Sequence, residues 1–166
     1  MVAQFVQRME RAAPIAAAFS APNIAENWQA IGRLAFERGK QAEAAADFSG
    51  AERAYDQAFA MTGIMGDRAN MANSAGRMAQ VLERRRPSDA LVWAIRASVL
   101  SAPDVETARS GHVPKVEVML ARMTAKLGPD ALDAGWLVCT GTPPPAKLRE
   151  TVVSLARLMG AALSRL

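Results

Sequence analysis

The sequence predicts an all-α fold, with antiparallel helix pairs stacked into a short superhelix and a C-terminal capping helix. Three observations lead there. Hydrophobic residues make up 51% of the chain and aromatics only 5%, so the apolar share rests on Ala, Leu, Val and Met, which suit helices rather than select strands. A pattern recurs, with an apolar residue and glycine at Ile31–Gly32 and Ala75–Gly76, followed by Ala-x3-Tyr-x2-Ala at Ala51, Tyr55, Ala58 and Ala-x3-Ala-x2-Ala at Ala90, Ala94, Ala97. The last twenty residues, Lys147 to Leu166, carry Leu148, Val152, Leu155, Leu158, Met159 and Leu163 at amphipathic helical spacing.

Taken in order, the elements follow from periodicity and breakers. Val2 to Phe19 places Phe5, Met9, Ala12, Ala13 and Ala16 on one face, and Pro14 is expected to kink or split that helix. Ser20 to Asn23 reads as a turn, with Asn23 as N-cap and Glu26 completing a capping box. The second helix starts near Ile24 with Trp28, Ile31, Leu34 and Ala35 as its apolar stripe. It ends at about Gly39 or continues through the helix-forming run that follows.

Phe48 to Met61 is its partner, with Ala51, Ala54, Tyr55, Ala58 and Phe59 facing inward, and Gly63 and Gly66 break the chain after it. Asp67 caps a helix over Arg68 to Arg85, which Pro87 stops. Pro87 or Ser88 opens the next, through about Ser101, with Leu91, Ala94, Ile95, Ser98 and Val99 on one side. A connecting stretch, Ala102 to His112, leads to a helix with Pro114 in its first turn that stops at Leu127–Gly128–Pro129. Asp130 to Val138 is a short helix containing Trp136, and the three prolines 143–145 stiffen the connector to the final helix.

At 166 residues the chain fits one domain, enough to bury roughly 70% of its unfolded surface without covalent staples. It divides into an N-terminal helix (1–22), two helix pairs (23–110) and C-terminal helices with a cap (111–166). Cys139 is the only cysteine, which excludes an internal disulfide and fits a reducing, cytoplasmic setting. Charged residues interrupt the start of the chain, so it lacks a signal-peptide core, and no stretch approaches the roughly 20 apolar residues of a membrane span. Net charge is +4, with both signs interspersed. That gives a mild preference for acidic partners and no nucleic-acid footprint.

On these residues the chain resembles the tetratricopeptide repeat family. Trp28, Ile31 and Gly32 stand where the repeat has Trp-x2-Leu-Gly on its first helix, and Ala51, Tyr55 and Ala58 match Ala-x3-Phe-x2-Ala on its second. The second copy is weaker, with Ala72 in place of the tryptophan and Ala94 in place of the large aromatic. Gly32 to Gly76 spans 44 residues and Ala51 to Ala90 spans 39, against a unit of about 34. This is similar to the longer bacterial and kinesin-light-chain variant, in which a turn like Gly66–Asp67–Arg68–Ala69 precedes the first helix. Leu120 to Gly128, Trp136 and Gly141 to Pro144 resemble the closing segment of such bacterial proteins. Gly32, Gly76, Ala51 and Ala58 are expected where paired helices approach closely, so that a larger side chain costs typically 1–3 kcal/mol.

The resemblance implies a ligand, an extended or helical peptide, along the concave face lined by the first helix of each pair. Carried over residue by residue, it assigns peptide or protein binding to Gln29, Arg33 and Glu37, and to Asn70, Asn73, Arg77 and Gln80. Each set lies on one helix face. Amides pair with peptide groups, and Arg33 and Arg77 hold carboxylates bidentately. For any one of these residues the competing reading is an ordinary solvated surface.

No catalytic residue, metal site or cofactor is expected. His112 and Cys139 are the only nucleophile-type pair, and no zinc pattern, phosphate loop or nucleophile elbow accompanies them. Arg84 to Arg86 read as complements to a helix dipole, and Asp130 and Asp133 as helix-start residues. The expectation is a cytoplasmic, non-catalytic adaptor that binds a protein or peptide segment, acidic in one version, without a membrane. The alternative is a structural or regulatory subunit that forms a homo-oligomer or assembles with a separate effector, through apolar ends or Met61, Met65, Met71 and Met78. These methionines also read as core filler. A nucleic-acid-binding helical protein ranks last.

Overall fold

The computed structural model describes residues 21–101 and 115–163; side chains are described for 26–101 and 115–161. The described residues form seven helices and no strand: α1 (Ala21–Ala44), α2 (Phe48–Ile64), α3 (Arg68–Leu82), α4 (Pro87–Ser101), α5 (Lys115–Leu127), α6 (Pro129–Thr140) and α7 (Ala146–Leu163). The expected helix over Val2 to Phe19 and the connection from Ala102 to His112 lie outside them.

The two short turns that join α1 to α2 and α2 to α3 are built alike. At the first, Ala46 N–H donates to Glu43 O (3.0 Å) and Asp47 N–H to Ala42 O (2.8 Å). At the second, Gly66 N–H donates to Gly63 O (3.1 Å) and Asp67 N–H to Thr62 O (3.0 Å). Both use a left-handed residue, Ala46 at φ 58° and Gly66 at φ 66°. This is the helix-ending arrangement in which glycine is usual. An aspartate then caps the next helix, Asp47 accepting from Gly50 N–H and Asp67 from Asn70 N–H. Turns this short force each helix back along the one before it, which gives the antiparallel pairing.

α1 packs on α2, α2 on α3, and α3 on α4; α5 and α6 then lie against α4, and α7 packs on α5. The end of the stack is therefore covered by α5 and α6, with α7 behind them, rather than by the last helix alone. A continuous core runs through these elements, including Tyr55, Leu82, Ile95, Leu120, Met123, Leu132, Trp136 and Val152. Ala51, Ala58, Ala90, Ala94 and Ala97 are fully buried, so the small residues of the recurring pattern do sit at close helix contacts.

Several expectations are corrected. α1 is already helical at Ala21, so Asn23 lies within the helix rather than ahead of it. Of the two ends expected for this helix, the structure takes the longer, through Gly39 to Ala44. A Cβ on Gly39 would lie 2.5–2.8 Å from ring carbons of Tyr55, which is fully buried. Of Gly32, Gly39 and Gly76, the one at a close helix approach is thus Gly39. At Gly32 an added Cβ would meet Met61 and Thr62 at 3.5 Å, and at Gly76 only Met119 at 3.9 Å, both ordinary contacts. Ile31 and Leu34 are 40% and 60% exposed, because the buried side of α1 runs through Gly32, Ala35 and Gly39 toward α2. α3 ends at Leu82, so Arg84 to Arg86 lie in the turn beyond it rather than in its last turn.

Candidate protein-binding groove

The first helices of the two pairs, α1 and α3, face each other across a groove of about 510 Å³. Trp28, Gln29, Gly32, Arg33, Phe36 and Glu37 form the α1 wall, and Asp67, Asn70 and Ser74 form the α3 wall. Thr62 and Met65, from the end of α2 and its cap, close the base. Helical spacing accounts for the α1 wall, since positions 29, 33 and 37 recur one turn apart and 28, 32 and 36 lie beside them. The second wall depends on the Gly66–Asp67 turn, which starts α3 beside the end of α2.

Four of the seven residues expected to bind, Gln29, Arg33, Glu37 and Asn70, line this groove. Asn73 is exposed on α3 but is not part of the lining. Arg77 and Gln80 lie further along α3, where Arg77 is turned toward the chain itself. Its Nη1 is 3.6 Å from Glu43 Oε2 on α1 and 3.5 Å from Gln80 Oε1. The same Glu43 oxygen accepts a 2.7 Å hydrogen bond from the Tyr55 hydroxyl of α2. Tyr55, Glu43 and Arg77 thus tie three helices together beyond the groove. Burial first, and then the Glu43 carboxylate, push the Tyr55 phenol well above its ordinary range.

Within the groove most acceptors are already engaged. Asp67 caps α3 and also accepts from Asn70 Nδ2 at 2.6 Å. Thr62 Oγ1 donates back to Ala58 O at 2.8 Å. Glu37 pairs with Lys40 at 3.0 Å. Arg33 makes no ion pair among the described residues, and the Ser74 side chain, 1% exposed, makes no hydrogen bond among them. The groove accordingly offers a guanidinium, a hydroxyl and the Gln29 amide beside the apolar surfaces of Trp28, Phe36 and Met65. That set suits a segment carrying both an apolar side chain and hydrogen-bond acceptors.

The spacing argument missed Phe36, Thr62, Met65, Asp67 and Ser74 as lining residues and took Trp28 for core. Trp28 reads as a stripe residue in a one-dimensional pattern, Phe36 lies next to the stripe residue Ala35 with no role assigned to it, and the others enter only through the turn that sets α3 beside α1. Elsewhere, Cys139 is a free, half-buried thiol on α6, while His112 lies outside the described residues. Asp133 does more than begin a helix: Arg149 of α7 donates to its two oxygens through Nε and Nη2, each at 2.7 Å. This bidentate pairing holds the Asp133 carboxyl below its ordinary range. Among the described residues no group of three or more His, Cys, Asp or Glu side chains is placed to hold a metal ion. No described helix is long and apolar enough to cross a membrane. Comparison with protein-family models, curated proteins and solved structures returns no match.

Proposed function

We propose that this chain is a non-catalytic adaptor of the tetratricopeptide-like kind, which holds a segment of another protein in the groove between α1 and α3. One observation carries the reading. The groove combines apolar surface with a guanidinium at Arg33 and a nearly buried hydroxyl at Ser74 that have no ion-pair or hydrogen-bond partner among the described residues, while its other polar groups are largely satisfied within the chain. Polar groups left open in an otherwise satisfied wall are those a ligand gains by contacting. Gln29, Arg33 and Asn70 contact the segment directly, Glu37 frames the wall, and Asn73, Arg77 and Gln80 extend the surface along α3.

The test is photo-crosslinking in the native host, with a photoreactive residue introduced at Asn73 or Gln29 and, as control, at Gln57 on the outer side of α2. A common adduct from the first two positions and none from Gln57 supports the reading; equal capture at all three contradicts it.

A second reading, assembly with a second copy or a larger protein, rests on apolar exposure at the other end of the molecule. Val138 and Leu158 are 82% and 69% exposed there. The methionines favour it less, because Met78 is buried and Met61, Met65 and Met71 are half-buried. A monomeric mass at micromolar concentration would count against self-assembly.

A further inference from the structure

The turn after α3 and the outer side of α5 bring together cations that are distant in sequence. Glu83, the C-cap of α3, is 3.1 Å from Arg122 Nη2 and 3.1 Å from Lys126 Nζ, so one carboxylate serves two cations one turn apart on α5. Arg84 and Arg85 follow directly, both exposed and without an ion pair among the described residues. Two cations are thus paired with Glu83 and two more follow it in the chain, beside that single carboxylate. Arg86, next in the chain, is taken up by Glu52 of α2 and by Asp89 of α4 at 3.4 Å. Those acids neutralise Arg86 and leave the charge of the edge standing.

We infer that this edge is a second docking surface, separate from the α1–α3 groove, for a short acidic segment of a partner protein. Charge complementarity favours an anionic occupant, and three of the four cations are arginines, whose planar forks match carboxylates. The extent of the patch sets the kind of anion. Its cations are confined to one turn and two positions on one helix, and Glu52 and Asp89 hold Arg86 next to them. A long phosphate backbone needs cations along an extended track, whereas so short a set matches a run of two or three carboxylates.

The test measures fluorescence anisotropy of a labelled hexaglutamate peptide with the full chain at about 50 mM salt, with a DNA duplex of about 20 base pairs as comparison. Hexaglutamate is expected to bind, to weaken as salt rises, and to weaken roughly fivefold or more in R84A/R85A. Arg38→Ala, at an exposed cation of α1 outside the groove, is expected to leave it unchanged, which separates this edge from a general effect of charge. Glu83→Gln removes the one compensating charge and is expected to tighten binding, a gain that damage to the fold does not produce. Absence of hexaglutamate binding, equal affinity in R84A/R85A, or a duplex bound as tightly as the peptide would each overturn the inference.

Discussion

Gly39 on α1 lies against the ring of Tyr55 on α2, with no room for even a Cβ between them. The ring is fully buried and held at its far end by the hydrogen bond to Glu43, so it cannot step aside. Gly39→Ala is therefore expected to destabilise the chain by about 1–2 kcal/mol, because overpacking exceeds the helix-propensity gain of about 1 kcal/mol. Gly32→Ala and Gly76→Ala, where space exists, are expected to be neutral or to stabilise by up to about 1 kcal/mol. Urea unfolding of the three variants checks the contrast; loss of equal size in all three would be incompatible with this packing.

The Tyr55 phenol predicts an alkaline limit to stability. Its proton is held more tightly in the fold than in the unfolded chain, where it leaves near pH 10. The unfolded state thus releases a proton that the native state keeps. The stabilisation is complete below about pH 10 and falls as pH rises above it. Tyr55→Phe is expected to flatten the decline of melting temperature between about pH 9 and 11. An unchanged slope would remove Tyr55 as its source.

Ala46 takes the left-handed position that Gly66 takes in the equivalent turn. A side chain there costs roughly 1–2 kcal/mol, part of which glycine returns through the entropy of the unfolded chain. Ala46→Gly is expected to raise stability by about 0.5–1 kcal/mol, and Gly66→Ala to lower it by a similar amount, as read by thermal unfolding.

Arg33 and Arg77 are expected to differ in kind. Arg33→Ala should weaken capture of the partner segment about tenfold with little change in melting temperature, since a hydrogen bond to a charged group is worth roughly 1.5–3 kcal/mol. Arg77→Ala should also lower stability, by under about 1 kcal/mol, because Glu43 loses its cation. Titration calorimetry and thermal melts on both variants separate the roles. If neither variant affects binding, the assignment of these arginines to the ligand fails.

The all-α class and the order of the elements were legible because composition, periodicity and breakers agree, as at Pro87, Gly128 and the Asp67 cap. Local pattern was a weaker guide where tertiary contact decides. Gly32 and Gly76 match in sequence, yet the tight contact is at Gly39, where only the position of Tyr55 across the helix pair creates the demand. Ile31 and Leu34 read as core but face outward, since helical spacing defines a stripe without saying which side meets α2. In the groove, Gln29, Arg33 and Glu37 of the α1 wall lie at the one-turn spacing the sequence shows, whereas Thr62, Met65 and Ser74 depend on a turn that brings separate helices together. The pairing of Arg77 with Glu43 spans 34 residues and has no local signature.

Hydrogen exchange of the chain with and without its crosslinked partner segment tests the central claim most directly. The account predicts slowed exchange confined to 28–37 of α1 and 67–80 at the start of and along α3, with α6 and α7 unchanged. Slowing confined to 137–158, with α1 and α3 unaffected, would contradict a groove-binding adaptor and favour assembly through the opposite end.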